Sequence, residues 1–254
     1  MALDGACRCG NSFCRGAGFP ALSRAPRSRT SRAVTRRWKD GARFGAGVTT
    51  ALLLLAGCGR VERPGQPAEP ERPSARETAQ CLADLSAAGV SFRRLPDRST
   101  GAACGLYGTV QLTDIGVPVN NLTAVRCGTA RAFVTWVRNG VVPAAYQKLG
   151  SELARVDTFG SYACRNVVGS SRGGERRSGH ALANAIDVAG FVLKDGRRVT
   201  VLNDWNSADP ATRDFLQTVR RSACRRFGTV LSPDYNAAHR NHFHLEDDRA
   251  SFCR

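Results

Sequence analysis

The sequence predicts an α+β domain over residues 78–254: a small, mostly antiparallel sheet with flanking helices. Three observations carry that expectation. Apolar residues recur at helical spacing in segments that start near Ser74, Ala124 and Asp209. Short alternating or β-branched runs lie between and after them, two of them joined by an Asp-Gly turn. The first third of the 254 residues does not read as globular, which leaves a single core.

The first helix opens at Ser74, where Glu77 three residues later completes a capping box, with Cys81, Leu82, Leu85 and Ala88 on one side. Residues 91–122 mix short apolar runs with Gly, Pro and Asn and read as irregular strands and loops. A second helix is expected over about Ala124–Asn139, with Phe133, Trp136 and Val137 at a spacing that marks core more often than a binding stripe. Pro143 suits the first turn of another short helix ending near Gly150. Strands are expected at Leu153–Phe159, Ala185–Leu193 and Val199–Leu202, the last two joined by the "KDGR" turn. Asp209 and Pro210 offer an N-cap and a first-turn proline for a helix through about Arg226, with Phe215, Leu216, Val219 and Ala223 inward. Strands at Thr229–Leu231 and about Asn241–Glu246 close the domain.

Residues 34–57 have the layout of a secretory signal, with "RRWKDGAR" ahead of the uncharged stretch Phe44–Gly57, which is short for a membrane span. Leu55-Ala56-Gly57-Cys58 has the form of a bacterial lipobox. Cys58 is therefore the expected lipidation site, and the protein an exported lipoprotein anchored in the membrane of the cell envelope and facing the periplasm. Each buried acyl methylene would contribute about 0.8 kcal/mol to the anchor. Residues 1–33, rich in Arg, Ser, Gly and Cys, stand ahead of that signal and read as an extension foreign to the working protein, with Val34 as the start of translation. A cytosolic tail or a transit peptide is the competing reading. Residues 58–77 are proline- and charge-rich and read as an extended tether.

Residues 1–57 hold 10 of the 37 basic and 2 of the 21 acidic side chains, so the remainder nets +8. That excess suits an anionic polymer such as cell wall. Without a basic run interleaved with aromatics, or a recognition motif, nucleic acid is not an expected partner. Cys7, Cys9 and Cys14 fall in the head. Cys81, Cys104, Cys127, Cys164, Cys224 and Cys253 remain, an even set that favours three disulfides in an exported domain and leaves their pairing open. No CxxC occurs among them, unlike a zinc ribbon.

All four histidines fall in two segments, "SGHALANAIDV" (Ser178–Val188) and "HRNHFHLE" (His239–Glu246). At a period of two, Asp187 lies on the face opposite Ile186 and Val188, while His242, His244 and Glu246 lie opposite Phe243 and Leu245. Paired, the two strands would bring imidazoles and a carboxylate together, with His180 from the preceding turn. That is the ligand chemistry of a catalytic Zn²⁺ with an open position for water. No GxSxG occurs, and the expected disulfides consume the cysteines, so a Ser or Cys nucleophile is disfavoured.

These two motifs resemble the SxHxxGxAxD and HxH pair of the zinc peptidase group that includes D-alanyl-D-alanine peptidases, lysostaphin-type endopeptidases and the hedgehog fold. More closely, residues 80–254, with "SYACRN" and "HRNHFH", look like the extensin-like C-terminal domain family of bacterial envelope proteins. The resemblance implies a hedgehog or D-Ala-D-Ala-peptidase-like fold and a zinc site made by His180, Asp187 and His244. It makes His242 the base acting on the attacking water and His239 a helper that polarises water or holds substrate. Arg165 would hold a substrate carbonyl or carboxylate, and Glu246 would orient an imidazole. Two positions depart from the pattern: glutamate is expected where Gly179 stands and glycine where Ala183 stands, which bears on substrate fit and rate more than on metal binding. The function implied is a lipid-anchored zinc peptidase of peptidoglycan, acting as carboxypeptidase or endopeptidase. The alternative is a non-catalytic wall-binding lipoprotein with a structural metal.

Overall fold

A capping box opens the fold. Ser74 Oγ accepts from the Glu77 backbone N–H at 3.1 Å and the Glu77 carboxylate accepts from the Ser74 N–H at 2.8 Å, starting helix α1 (Ala75–Ala87). Cys81 and Leu85 turn inward, whereas Ala88, expected beside them, is the exposed C-cap. The computed structural model describes residues 72–101, 103–168 and 176–254, which lie in one compact unit, Val61–Arg254. The head, the apolar stretch with Cys58 and most of the tether lie outside the described residues. Among the described residues no helix is long and apolar enough to cross a membrane.

The segment read as irregular resolves into β1 (Ser91–Arg94), β2 (Arg98–Gly101), β3 (Cys104–Leu106) and β4 (Thr109–Asp114). β1 and β4 form a small sheet with β5 (Val125–Arg126), and β2 pairs with β3. The helix expected from Ala124 instead begins after β5, as α2 (Cys127–Trp136). It does not stop at Asn139: a π-helical stretch, Val137–Val141, carries it into α3 (Val142–Leu149). The glycine at 140 reads as a break in sequence, yet its work is packing. A Cβ there would collide with the Ser222 side chain, so Gly140 lets this helix approach the one that carries Ser222. The helix ends as expected, with Gly150 in the left-handed region at φ 67°.

Among the described residues the main sheet has six strands: β6 (Leu153–Gly160), β7 (Ala185–Leu193), β8 (Arg198–Thr200), β9 (Thr229–Leu231), β10 (Phe243–Glu246) and β11 (Phe252–Cys253). Their order is β11-β9-β10-β7-β6, with β8 also on β7, and all pairs but β11–β9 are antiparallel. The strand expected at Val199–Leu202 is a correction. Only residues through Thr200 are extended, and helix α4 (Val201–Asp204) follows. Thr200 caps that turn by accepting from the Asn203 N–H, while the Asp204 carboxylate accepts from the Thr200 N–H at 2.7 Å. The capping bonds prevail there over the β preference of Val and Thr.

Asp209 caps α5 (Pro210–Cys224) by accepting from the N–H groups of Ala211 and Thr212. Phe215, Leu216, Val219 and Ala223 are fully buried, as expected. They meet Phe133, Trp136 and Val137 of the long helix and Ile186, Val188 and Phe191 of β7 in one core. Trp136 stacks edge-on to Phe191 and donates its indole N–H to the Val219 carbonyl at 3.0 Å. The fold class is thus α+β, with a mostly antiparallel sheet. Among the described residues the disulfides are Cys81–Cys127, Cys104–Cys164 and Cys224–Cys253.

Candidate metal centre

The helix-facing side chains of β7 and β10 are apolar, and that leaves the alternate positions for chemistry. Ile186, Val188, Phe243 and Leu245 are fully buried. Asp187 pairs across the ladder with His244, and Glu246 with Ala185. Antiparallel partners stand about 4.5–5.5 Å apart at Cβ, which brings the carboxylate and the imidazole into reach of each other. His180 arrives from a 3₁₀ turn (Gly179–Leu182) that ends in Ala183, a non-glycine residue in the left-handed region at φ 52°. Asn184 ties this turn down: its side-chain oxygen accepts from Thr129 Oγ1 at 2.9 Å, and its amide donates to the Asp247 carbonyl at 2.7 Å.

Hydrogen bonds fix which ring nitrogens face the centre. His180 Nδ1–H donates to the Ser161 carbonyl at 2.8 Å, leaving Nε2 at 3.1 Å from Asp187 Oδ1 and 3.1 Å from His244 Nδ1. His244 Nδ1 lies 3.0 Å from Asp187 Oδ1, and its Nε2 lies 3.2 Å from Glu246 Oε2. One ligand atom from each of His180, Asp187 and His244 therefore sits within 4.8 Å of the others, a group that can hold a metal ion. Two ligands about 2.0 Å from a tetrahedral ion stand about 3.3 Å apart, close to the spacing found. Two nitrogens and a carboxylate crowded in this way repel one another unless protons or a cation lie between them, so the donor set fits the zinc expected from the sequence.

The electrostatics follow from burial and from the carboxylates. Burial alone would raise the Asp187 carboxyl, but hydrogen bonds from His180 and His244 hold it well below the ordinary carboxylate range. Against burial, which lowers it, Asp187 and Glu246 push His244 up to about 9. His242 is lowered by burial, which outweighs the opposing pull of Asp187. His239 is lowered to about 4 by burial and by the neighbouring histidines. Both are neutral at pH 7.

A pocket of about 480 Å³ opens beside this group, with His239, His242, His244 and Glu246 in its wall. His242 Nδ1–H donates to Asn241 Oδ1 at 2.8 Å, and its Nε2 stands 3.4 Å from Asp187 Oδ1. His242 itself precedes β10, which starts at Phe243 rather than at Asn241. His239 lies in a 3₁₀ turn (Ala237–His239), its ring 5.2 Å from that of His242. Arg165 also lines the pocket, one guanidinium nitrogen 4.0 Å from Asp187 Oδ2. Cys58 lies outside the described residues.

Sequence reading passed over several residues at the site. Ser161 holds His180 through a backbone oxygen, which no side-chain pattern reveals. Asn184 carried a signal, an amide inside an apolar run. Glu246 gains a further meaning from Gly179: a side chain at 179 would run into the Glu246 carboxylate. Gly179 thus keeps open the space from which Glu246 reaches His244.

Comparison with known proteins gives one match. Residues 79–254 fit the family model described as extensin-like protein C-terminus. No curated protein and no solved structure matches the chain. The matched span covers both histidine segments and the three disulfides found among the described residues, and the chain belongs to the extensin-like protein C-terminus family.

Proposed function

We propose that the protein is a zinc-dependent peptidase of peptidoglycan, exported and held at the membrane by lipid on Cys58. The observation that carries this reading is the His180–Asp187–His244 group beside a pocket into which a neutral His242 also faces. The resemblance of both motifs to the zinc peptidase group, with its hedgehog-like fold, supports it. A zinc ion supplies Lewis acidity, polarising a carbonyl and lowering the pKa of water to about 7. His242 Nε2 accepts the proton of the attacking water, because Nδ1 is committed to Asn241 and burial keeps the ring neutral. Arg165 holds the substrate carbonyl or a carboxylate. Glu246 fixes the outer nitrogen of His244. His239, neutral and beside His242, takes part in polarising water or holding substrate. The net charge of +8 beyond residue 57 suits an anionic wall polymer.

A second reading, a wall-binding lipoprotein with a structural metal, is favoured by the 3.4 Å between His242 Nε2 and Asp187 Oδ1, close enough for His242 to serve as a fourth ligand. One variant separates the two. His242→Ala protein that keeps stoichiometric zinc but loses cleavage of purified muropeptides supports the peptidase. Loss of the zinc itself supports the structural site, and unchanged cleavage removes His242 from the role of base.

A further inference from the structure

The six-stranded sheet carries a row of rings from one edge strand to the other. Phe159 of β6 stands edge-on to His242 at 5.9 Å, His242 meets His239 at 5.2 Å, His239 meets Tyr235 at 5.6 Å, and Tyr235 meets Phe252 of β11 at 5.6 Å. β6 and β11 are the two ends of the strand order, with Asp187 and His244 on β7 and β10 between them. Four strand spacings of about 4.8 Å make the row roughly 19 Å long. The metal centre therefore lies inside the row.

The outer rings are exposed. Phe159 is 57% exposed, Tyr235 41% and Phe252 38%. Tyr235 and Phe252 line the pocket together with Val168, which is 59% exposed. Apolar surface gathered about one site marks a place where something binds. Phe159 is moreover the extra residue of a β-bulge, since Thr158 pairs with Val188 and Gly160 with the adjacent Asp187. A bulge gives up a ladder position and re-aims a side chain, here onto His242. The pocket wall carries charge of both signs, Arg165 and Arg176 together with Glu246 and Asp248.

We infer that the site takes an extended peptide, which crosses the metal centre from the Phe159 edge to the Phe252 edge, and that the bond cut is internal. The inference rests on the peptidase reading and narrows it from carboxypeptidase or endopeptidase to endopeptidase. A span of roughly 19 Å holds about five or six extended residues, and a substrate ending at the metal would leave one half of the row unused.

The test uses full-length, zinc-loaded protein with two probes, a crosslinked muropeptide dimer and the uncrosslinked stem peptide. Binding is read by stopped flow before turnover, and products by mass. The dimer is expected to bind at least about tenfold tighter than the stem peptide, and Phe159→Ala and Tyr235→Ala each to weaken dimer binding roughly tenfold. Zinc affinity is expected to stay within about twofold in Phe159→Ala, because that ring lies against His242, which the peptidase reading makes a base and not a ligand. Unchanged dimer binding in Phe159→Ala, equal binding of the two probes, binding of neither, or release of single terminal residues alone would overturn the inference. Dimer binding that follows the rings without any product leaves the extended site standing and sinks the hydrolase. Cleavage that ignores Phe159 does the reverse.

Discussion

The two faces of the main sheet are held by different forces. On one, the long helix and α5 press Trp136, Phe133, Phe215 and Phe191 into full burial. On the other, the histidines ride on short 3₁₀ turns and on a strand that starts only at Phe243. Apolar burial does not fix the histidines of this second face, because they are polar and must stay near water or a metal. Disulfides take over part of that work: Cys164 adjoins Arg165 and is tied to β3, and Cys253 adjoins Phe252 and is tied to α5. Stability and site geometry are thus separable by mutation.

The largest expected effects break that separation open. Trp136→Ala is expected to cost about 3–5 kcal/mol in denaturant unfolding, by the lost burial and the cavity left. Asp187→Ala is expected to abolish stoichiometric zinc, read by metal analysis after gel filtration, while the far-UV circular dichroism stays native. If Trp136→Ala instead removed zinc from protein that is still folded, the two faces would be coupled. The disulfides sharpen the comparison because their loops are alike, with separations of 46 residues for Cys81–Cys127 and 60 for Cys104–Cys164. Chain entropy gives each about 4 kcal/mol. Replacing either pair by serine should therefore lower stability by similar amounts. Only loss of Cys104–Cys164 should weaken substrate binding as well, through Arg165.

How much of this could be read in the sequence depended on how far each cause reaches along the chain. The cap at Ser74, the cap at Asp209 and the left-handed Gly150 are local, so their residues announce them. The site was also legible, because period-two alternation fixes which of Ile186, Asp187 and Val188 leave the core, and likewise for Phe243, His244 and Leu245. What could not be read was set by distant partners. Gly140 marks a helix contact with Ser222, eighty-two positions away, just past the Asn139 at which the helix was expected to stop. Val199–Leu202 has strand residues, but Asp204 closes a turn on Thr200. Phe159 was expected to end a strand, and only the register with β7 makes it a bulge.

A smaller effect probes the histidine face alone. Gly179→Ala places a methyl in the space held by the Glu246 carboxylate, which must then leave His244 Nε2. Removing such an outer partner typically costs about 10–100-fold in metal affinity. Glu246→Ala should cost about the same, and the double variant no more than either single one, since both act through one contact. Additive losses in zinc titrations would show that Gly179 acts elsewhere.

The smallest effect concerns Ala183, where three opposing contributions nearly cancel. Its left-handed backbone at φ 52° costs about 1–2 kcal/mol relative to glycine. Glycine would relieve that strain but lose about 0.5–1 kcal/mol through its greater freedom in the unfolded chain. It would also give up a fully buried methyl that packs with Leu106 and Ala124, worth about 0.8 kcal/mol. Ala183→Gly is therefore expected to shift stability by less than about 1 kcal/mol, a change of a few degrees in Tm. The turn's own bonds do not use this side chain: the Ala183 N–H reaches the His180 carbonyl at 3.1 Å and its carbonyl accepts from Arg126 at 2.8 Å. Zinc affinity should accordingly stay as it was, and a marked gain in affinity would mean that the alanine holds His180 away from its best position.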